Sequence, residues 1–439
     1  MKTAGSLLLL LYPWLMLLSC KTAKPSIDRP ENSLNKVWDH LEVLSQLHSG
    51  LSIYDADRNT WIFNYRDDNY FTPASCTKLL TMYTVLRYMD EQIPAAYYKI
   101  KNDTIIIWGG GDPGTLYPDI HGPSSFIQFL KSTDKQIIFS EAAFKTEHYG
   151  KGWAWDDYPY SFQSDRTAFP IYGNRLWIER RQDTIHTTPQ YLRQLLNIKK
   201  DTFESKGRNE WGTNFYYHYN SAFADTTVGI PISFFENDEN LIWSEALGKD
   251  ILWKEVAFSA NTFEIQGSSR DSLLKIMMQK SDNFIAEQLL LACAMKETDH
   301  MNETDMIKKM VDGPLHDLPD SIEWVDGSGL SRYNLVTPRA MVWVMQQIMK
   351  QKGKEYMKSI LPAGGQSGTL INDYYGKNGH PYLFAKSGSM RHVYCMTGML
   401  ETNSGHTFLF SWLNNDFWGH NARLKAAMEH LFIYLRDNY

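Results

Sequence analysis

The sequence predicts an α/β chain of the α+β type: an antiparallel sheet flanked by helices, interrupted by a long and mostly β insertion. Three observations carry this expectation. Apolar residues at Leu79, Leu80, Met82, Tyr83, Val85, Leu86 and Met89 recur at the three-and-four spacing of a buried helix. Strand-forming runs stand near both ends of the chain, at Gly50–Asp55, Thr60–Tyr65, Val393–Leu400 and Thr407–Leu413. Between them, residues 93–261 show no long helical periodicity and alternate short strands with turns.

The chain begins with Met1 and Lys2, followed by an apolar run from Ser6 to Leu18 that is too short to span a bilayer. Residues 1–19 therefore read as a secretory signal. The end of that run, Leu17-Leu18-Ser19-Cys20, resembles a bacterial lipobox, which implies cleavage before Cys20 and a lipid on its sulfur. An ordinary signal followed by a chance cysteine is the alternative. Residues 20–36 are polar and contain proline, as a tether does. A short helix from Val37 leads into a hairpin, Gly50–Asp55 and Thr60–Tyr65, turned at Asp57-Arg58-Asn59. The helix that contains Ser75 follows.

In the insertion, Asp103–Trp108 reads as a strand and Gly109–Gly114 as a turn. The aromatic loop Gly152–Tyr158 could stack on sugar rings or pack as core. Helical character returns at Asp271–Met278, breaks at Lys280–Asn283 and resumes through Ile285–Leu291. A polar tripeptide between two apolar helices reads as a loop pinned above a core. A glycine-containing turn (Asp326–Arg332), a helix from about Pro338 to Lys350 and the turn-rich Leu361–Gly365 come next. The last strands and a helix over Asn421–Leu435 close the chain. The expected division is a catalytic part made of 37–92 with 262–439, around an inserted part, 93–261.

A net charge of −6 without a basic cluster excludes nucleic acid as a partner. Removing the leader leaves Cys76, Cys293 and Cys395 beyond Cys20, an odd set that offers no disulfide framework. Cys76 points about 100° away from Ser75 on a helix and reads as a packing residue. No metal or nucleotide motif is present, so no cofactor and no metal are expected.

Four Ser-x-x-Lys tetrads occur, at Ser33/Lys36, Ser75/Lys78, Ser132/Lys135 and Ser272/Lys275. Only the second combines a preceding proline with a long apolar helix able to bury the pair. Ser75 and Lys78 project from one side of a first helical turn, where free N–H groups favour negative charge. A hydroxyl beside an amine can be a nucleophile with its base built in. The amine must then be neutral, which takes its pKa from about 10.4 down by roughly three units, about 4 kcal/mol. The alternative is an N-cap serine followed by a surface lysine.

Ser75-x-x-Lys78, Ser281-x-Asn283 and Lys386-Ser387-Gly388 occur in that order, the motif set of penicillin-interacting serine enzymes. Longer strings accompany it: Gly110-Gly-Asp-Pro113, Gly152-Trp-Ala-Trp-Asp-Asp157, Ser281-Asp-Asn-Phe-Ile-Ala-Glu-Gln-Leu289, Asp326-Gly-Ser-Gly-Leu-Ser-Arg332, and Leu361-Pro-Ala-Gly364 with Gly368-Thr-Leu370. The mature chain resembles the class C low-molecular-mass penicillin-binding proteins, serine-type D-Ala-D-Ala carboxypeptidases and endopeptidases. The resemblance implies a penicillin-binding/β-lactamase-like transpeptidase fold with a domain inserted between the first two motifs. It implies Ser75 as nucleophile, Lys78 as base, Ser281 as proton relay and Lys386 as the cation that keeps the site electropositive. Backbone N–H groups of Ser75 and Ser389 would form the oxyanion hole, while Asn283, Ser387 and Gly388 would hold the substrate. Asp157 and Phe162 match a position that approaches the diamino-acid side chain of the stem peptide, and Arg332 and Arg391 could pair with a carboxylate there. Partners implied are peptidoglycan peptides, β-lactams as covalent inhibitors, and a membrane reached through Cys20 on an exported, periplasm-facing protein.

This sequence departs from the resemblance where Ser387 replaces the usual threonine and where Arg391 replaces an uncharged residue. Two competing readings remain: a β-lactamase, and a non-catalytic peptidoglycan-binding protein of the same fold. Carboxypeptidase and endopeptidase differ only in leaving-group size, so that choice also stays open.

Overall fold

The computed structural model describes residues 30–41, 47–209, 214–220, 222, 225–233, 238–259, 261–419 and 421–439. The leader 1–19, Cys20 and the first part of the expected tether lie outside the described residues.

A five-stranded antiparallel sheet joins the two ends of the chain, in the order Leu383–Met390, Val393–Glu401, Thr407–Asn415, His48–Asp55, Thr60–Tyr65. Its third strand is buried along its whole length, because helices cover both faces. On one face Leu409, Leu413, Cys395 and Met399 pack with residues of the helices Lys78–Tyr88, Asn283–Thr298 and Pro338–Lys352. On the other, Phe408, Phe410 and Trp412 join Leu51 and Ile53 against Leu34, Trp38, Leu431 and Phe432. The period-two alternation of the strands thus sorts side chains into two cores. The edge strand Leu383–Met390, which carries the Lys-Ser-Gly motif, has Val393–Glu401 as its one neighbouring strand among the described residues, and on its outer side Phe384 bridges Ala363.

The first helix runs Pro30–Asp39, so it begins inside the stretch expected to be a tether. The cause is packing: Leu34 and Trp38 share one face, and the Trp38 ring meets Phe63, Tyr65 and Trp412 at 4.8–5.3 Å. Four other helices were not expected: Ser125–Ser132, Asp238–Leu247, Glu303–Asp312 and Lys354–Ile360. None exceeds 10 residues, too short for its periodicity to stand out from its surroundings.

The segment after Tyr88 builds a second five-stranded sheet and two three-stranded ones. The second sheet contains parallel pairs, Thr104–Gly109 with Gln136–Ser140 and Leu252–Trp253 with Gln136–Ser140. Strand Phe263–Ser269, past the expected boundary at 261, pairs with Gln92–Lys101 in this sheet. The two ends of the stretch expected to be inserted thus lie on neighbouring strands. Helix Asn283–Thr298 links the two parts: it is buried from Asn283 to Met295, with Leu289 and Leu290 in one core and Leu291 and Met295 in the other. A helix that is apolar nearly all round belongs at the centre of a molecule.

Candidate active site

Ser75 lies in a 3-10 turn, Ala74–Thr77, that runs directly into the helix Lys78–Tyr88. This differs from the α-helical first turn expected, and it favours the pair, because residues i and i+3 eclipse in a 3-10 turn. Lys78 Nζ stands 3.0 Å from Ser75 Oγ. The amine also donates to Asn283 Oδ1 at 2.6 Å and to the Ser328 carbonyl at 2.7 Å. Ala74, just before the serine, has a φ of 47°, a strained conformation for a residue with a Cβ. Its carbonyl is held by the Thr77 hydroxyl at 2.8 Å and is approached by Gly329, where a Cβ would sit 2.0 Å away. Gly329 has a φ of +83°, so both space and backbone require glycine there.

Ser281 ends the helix Arg270–Lys280 in the left-handed conformation, and Asp282 caps the next helix by accepting from Ile285 N. Asp282 is anchored by Arg175 at 3.0 Å and the Tyr117 hydroxyl at 2.8 Å, both from the inserted part. The expected loop pinned above a core is therefore pinned by an ion pair. Asn283 uses both ends of its amide: Oδ1 accepts from Lys78 and Nδ2 donates to the Phe162 carbonyl at 3.0 Å.

Lys386 is fully buried on the edge strand and donates to the Ser387 carbonyl at 2.5 Å. The strand and the Ser75 turn meet at Gly388, where a Cβ would lie 2.5 Å from the Pro73 carbonyl and 3.0 Å from Ser75 N. Burial, assisted by the Lys386 charge, pulls the Lys78 amine down to about 7, against the opposing pull of Asp326, Asp282 and Glu287. Burial likewise lowers Lys386 to about 8. Burial pushes the Cys76 thiol up to about 11, and its Sγ packs 3.3 Å from the Lys386 carbonyl, as befits a packing residue.

These groups border a cleft of about 570 Å³, lined by Ser75, Ser281, Asn283, Ser389, Asp157, Phe162, Arg332 and Arg391 among others. The two lysines lie fully buried beneath it. Ser387 and Gly388 sit on the adjoining strand, outside the lining. Arg332 donates to the Arg391 backbone carbonyl at 3.4 Å, and both residues line the cleft. Burial raises the Asp157 carboxyl from its ordinary value, Asp156 adds to this, and Arg332 opposes it. A larger cavity, about 740 Å³ around Tyr117 and Trp177, is lined by neither Ser75 nor the two lysines, so the candidate site is the smaller cleft.

Several supporting residues carry no role in the sequence reading. Asp326 accepts from the N–H groups of Gly329 and Ser331 and from Asn334 and Trp153, fixing the loop that presents the Ser328 carbonyl to Lys78. Glu287 accepts from Ser328 N at 2.8 Å and meets Arg166 at 3.4 Å. The strings containing Asp326 and Glu287 stand out in the sequence, but only the folded chain brings them to the loop behind Lys78. The Thr369 hydroxyl lies 2.8 Å from Ser387 Oγ, so it orients a side chain that lacks threonine's rotamer-fixing methyl. Thr369→Val is expected to raise KM roughly fivefold with little change in kcat, the cost of about one hydrogen bond, measured by steady-state kinetics. An unchanged KM would mean that Ser387 orients itself.

A serine hydroxyl against a buried amine whose pKa is lowered, beside a sheet edge, is the arrangement of an enzyme that works through an acyl-serine. The chain belongs to the D-Ala-D-Ala carboxypeptidase 3 (S13) family, which it matches over residues 31–203 and 255–435. It is 23% identical over 435 residues to the D-alanyl-D-alanine carboxypeptidase DacB of Haemophilus influenzae, covering 89% of this chain and 90% of that one. The crystal structure of penicillin binding protein 4 (dacB) from Haemophilus influenzae shares the fold, with a TM-score of 0.70 at 20% identity over 90% of this chain and 99% of that one. The same protein complexed with a β-lactam superposes with a TM-score of 0.66 at 19% identity, over the same shares. The expected fold is thereby met. Among the described residues no helix is long and apolar enough to cross a membrane.

Proposed function

We propose that this chain is a serine D-Ala-D-Ala carboxypeptidase and/or endopeptidase that hydrolyses peptidoglycan stem peptides or cross-links through an acyl-enzyme on Ser75. The observation that carries this reading is the buried Lys78 amine, lowered to about 7 and 3.0 Å from Ser75 Oγ. The Ser75 oxygen attacks the carbonyl of the penultimate D-Ala while its proton passes to Lys78 Nζ. The resulting oxyanion is met by the N–H groups of Ser75 and Ser389, each such donor being worth roughly 2.7–4 kcal/mol. As the C–N bond breaks, the proton travels by way of Ser281 to the leaving amine. Asn283 holds the substrate backbone, and Ser387 with the Lys386 charge holds its carboxylate. Water then attacks the ester, again with Lys78 as base, and frees Ser75.

β-Lactams present the same acyl group in a strained ring and acylate Ser75. The name of the Haemophilus relative and the β-lactam complex of its structure support both halves of this reading. Fluorescent penicillin is expected to label the wild-type chain covalently and to leave Ser75→Ala unlabelled. Slow release of the label separates this enzyme from a β-lactamase, and absence of label in the wild type would favour a binding protein instead. Mass spectrometry of products from a pentapeptide and from a cross-linked dimer decides between the two leaving groups. The inserted region 93–261 brings Asp157 and Phe162 to the substrate side chain. Arg332 and Arg391 favour a stem peptide that carries a free carboxylate there. Removal of residues 1–19 and lipidation of Cys20 would hold the enzyme at the membrane on the periplasmic side, and mass spectrometry of the native N-terminus tests this.

The pH dependence follows from the two lysines. Below about 7 Lys78 is protonated and cannot accept the serine proton, so acylation rises with pH through that value. Above about 8 Lys386 loses its charge and the rate falls again. A narrow bell is expected in the penicillin acylation rate, with limbs that belong to the interacting pair. A rate that does not vary from about pH 6 to about pH 9 would contradict it.

A further inference from the structure

Away from the cleft, where the turn after strand His48–Asp55 meets the start of strand Thr407–Asn415, Asp55, Asp57 and His406 come together. One ligand atom from each lies within 4.8 Å of the others. Asp55 is fully buried. Its Oδ1 accepts from the N–H groups of Asp57 at 2.9 Å and Arg58 at 3.0 Å, which fixes the carboxylate plane. Its Oδ2 makes no hydrogen bond, although it stands 3.2 Å from His406 Nδ1. That nitrogen also lacks a hydrogen-bond partner, and so does the buried Thr407 hydroxyl next to it in sequence. A buried carboxylate oxygen left unpaired costs several kcal/mol unless something else faces it.

Two observations say what that partner is. The first is the separation itself. Donors on a tetrahedral ion with bonds of about 2.05 Å lie about 3.3 Å apart. The 3.2 Å between Asp55 Oδ2 and His406 Nδ1 matches that edge; the two atoms make no hydrogen bond, and without a metal they form an ion pair only when His406 is protonated. The second is the donor set. One imidazole and two carboxylates suit zinc and its neighbours, whereas magnesium and calcium prefer oxygen alone. Asp57 is exposed but tied, because its Oδ2 accepts from Thr407 N at 2.6 Å. Arg58 Nε stands 3.8 Å from Asp55 Oδ2 on a side chain that is mostly exposed, so its balance of the carboxylate charge is weakened by solvent.

We propose that Asp55, Asp57 and His406 bind one divalent transition-metal ion of the zinc type, with water completing the coordination. None of the three lines the cleft, so the ion is structural. It clips the first hairpin to the last pair of strands, joining segments that are 350 residues apart in sequence, and binding free energy at such a clip becomes folding free energy. Ligands so far apart leave no short motif, which is why the sequence shows none.

The test uses the full chain, stripped with EDTA, dialysed, and titrated with Zn²⁺ by calorimetry and by thermal melting. The wild type is expected to bind one Zn²⁺ saturably and to melt at a higher temperature with it, whereas Mg²⁺ and Ca²⁺ give neither effect. His406→Ala and Asp57→Asn should each weaken binding roughly tenfold or more and remove the thermal shift. Asp57 is exposed, so Asp57→Asn keeps the test informative if His406→Ala fails to fold. Near-UV circular dichroism checks folding independently of the proposed catalytic chemistry. His316→Ala, at an exposed histidine beside Asp317, should bind as the wild type does. No saturable zinc binding by the wild type, or undiminished binding by folded His406→Ala and Asp57→Asn, would overturn the proposal.

Discussion

Lys78→Met is expected to slow penicillin acylation of Ser75 by about 10⁴-fold at neutral pH, while Ser75→Ala abolishes it. Methionine keeps the length and apolar stem of the side chain and removes only the amine. What disappears is the amine 3.0 Å from Ser75 Oγ, the group proposed to take its proton. The substitution also leaves Asn283 Oδ1 and the Ser328 carbonyl without their donor, each costing about 1–3 kcal/mol of stability. Rate and stability therefore need separate readings: acylation kinetics by stopped flow, and the melting midpoint by calorimetry. Raising the pH should not rescue Lys78→Met, whereas the wild type gains rate as Lys78 deprotonates through about 7. A folded Lys78→Met protein that acylates within tenfold of the wild type would show that another group serves as base.

Arg166→Met is expected to be the most damaging change to stability, roughly 3–5 kcal/mol, read as a lower urea midpoint. Arg166 is fully buried and stands between Glu287 at 3.4 Å and Glu303 at 3.2 Å. It also donates to the carbonyls of Glu147 and Tyr149, so it fastens the inserted part to the two helices that carry those glutamates. Without the guanidinium, buried carboxylates face one another with no countercharge. Glu287 is already pushed upward by burial and by Asp326, with Arg166 opposing, so its removal should make Glu287 take up a proton near neutrality. Glu287→Gln placed on top of Arg166→Met should recover part of the loss, since a neutral amide needs no countercharge. Activity should fall as well, because Glu287 holds Ser328 N and Ser328 holds Lys78. A change below about 1 kcal/mol would mean that water replaces the guanidinium at little cost.

Much of the architecture was legible because burial writes a period into the chain. The Leu79–Met89 run, the hairpin at Asp57–Asn59 and the strands at Val393 and Thr407 all stand where their spacing puts them. The helix at Pro30 was not legible, since its reason for existing is the aromatic surface of Phe63, Tyr65 and Trp412. The parallel pairs in the second sheet were hidden too, because strand partners are chosen across long stretches of chain rather than within a window.

The site divides in the same way. Three short motifs singled out Ser75, Lys78, Lys386, Ser281 and Asn283 as candidates, because acyl transfer needs a hydroxyl, a base and a cation, and few residue types supply them. They could not say that Asn283 bonds Lys78 itself, that Thr369 bonds Ser387, or that Asp326 and Glu287 hold the loop behind Lys78.

By itself the sequence determined which residue types exist, and where a helix or a strand can form. The tertiary structure alone decided that Lys78 would be an amine lowered to about 7 rather than an ordinary surface cation. The physical reason is that a pKa depends on the exclusion of water and on the sum of charges nearby. Those charges, Lys386, Asp326, Asp282 and Glu287, come from segments far apart in the chain that meet only when it folds.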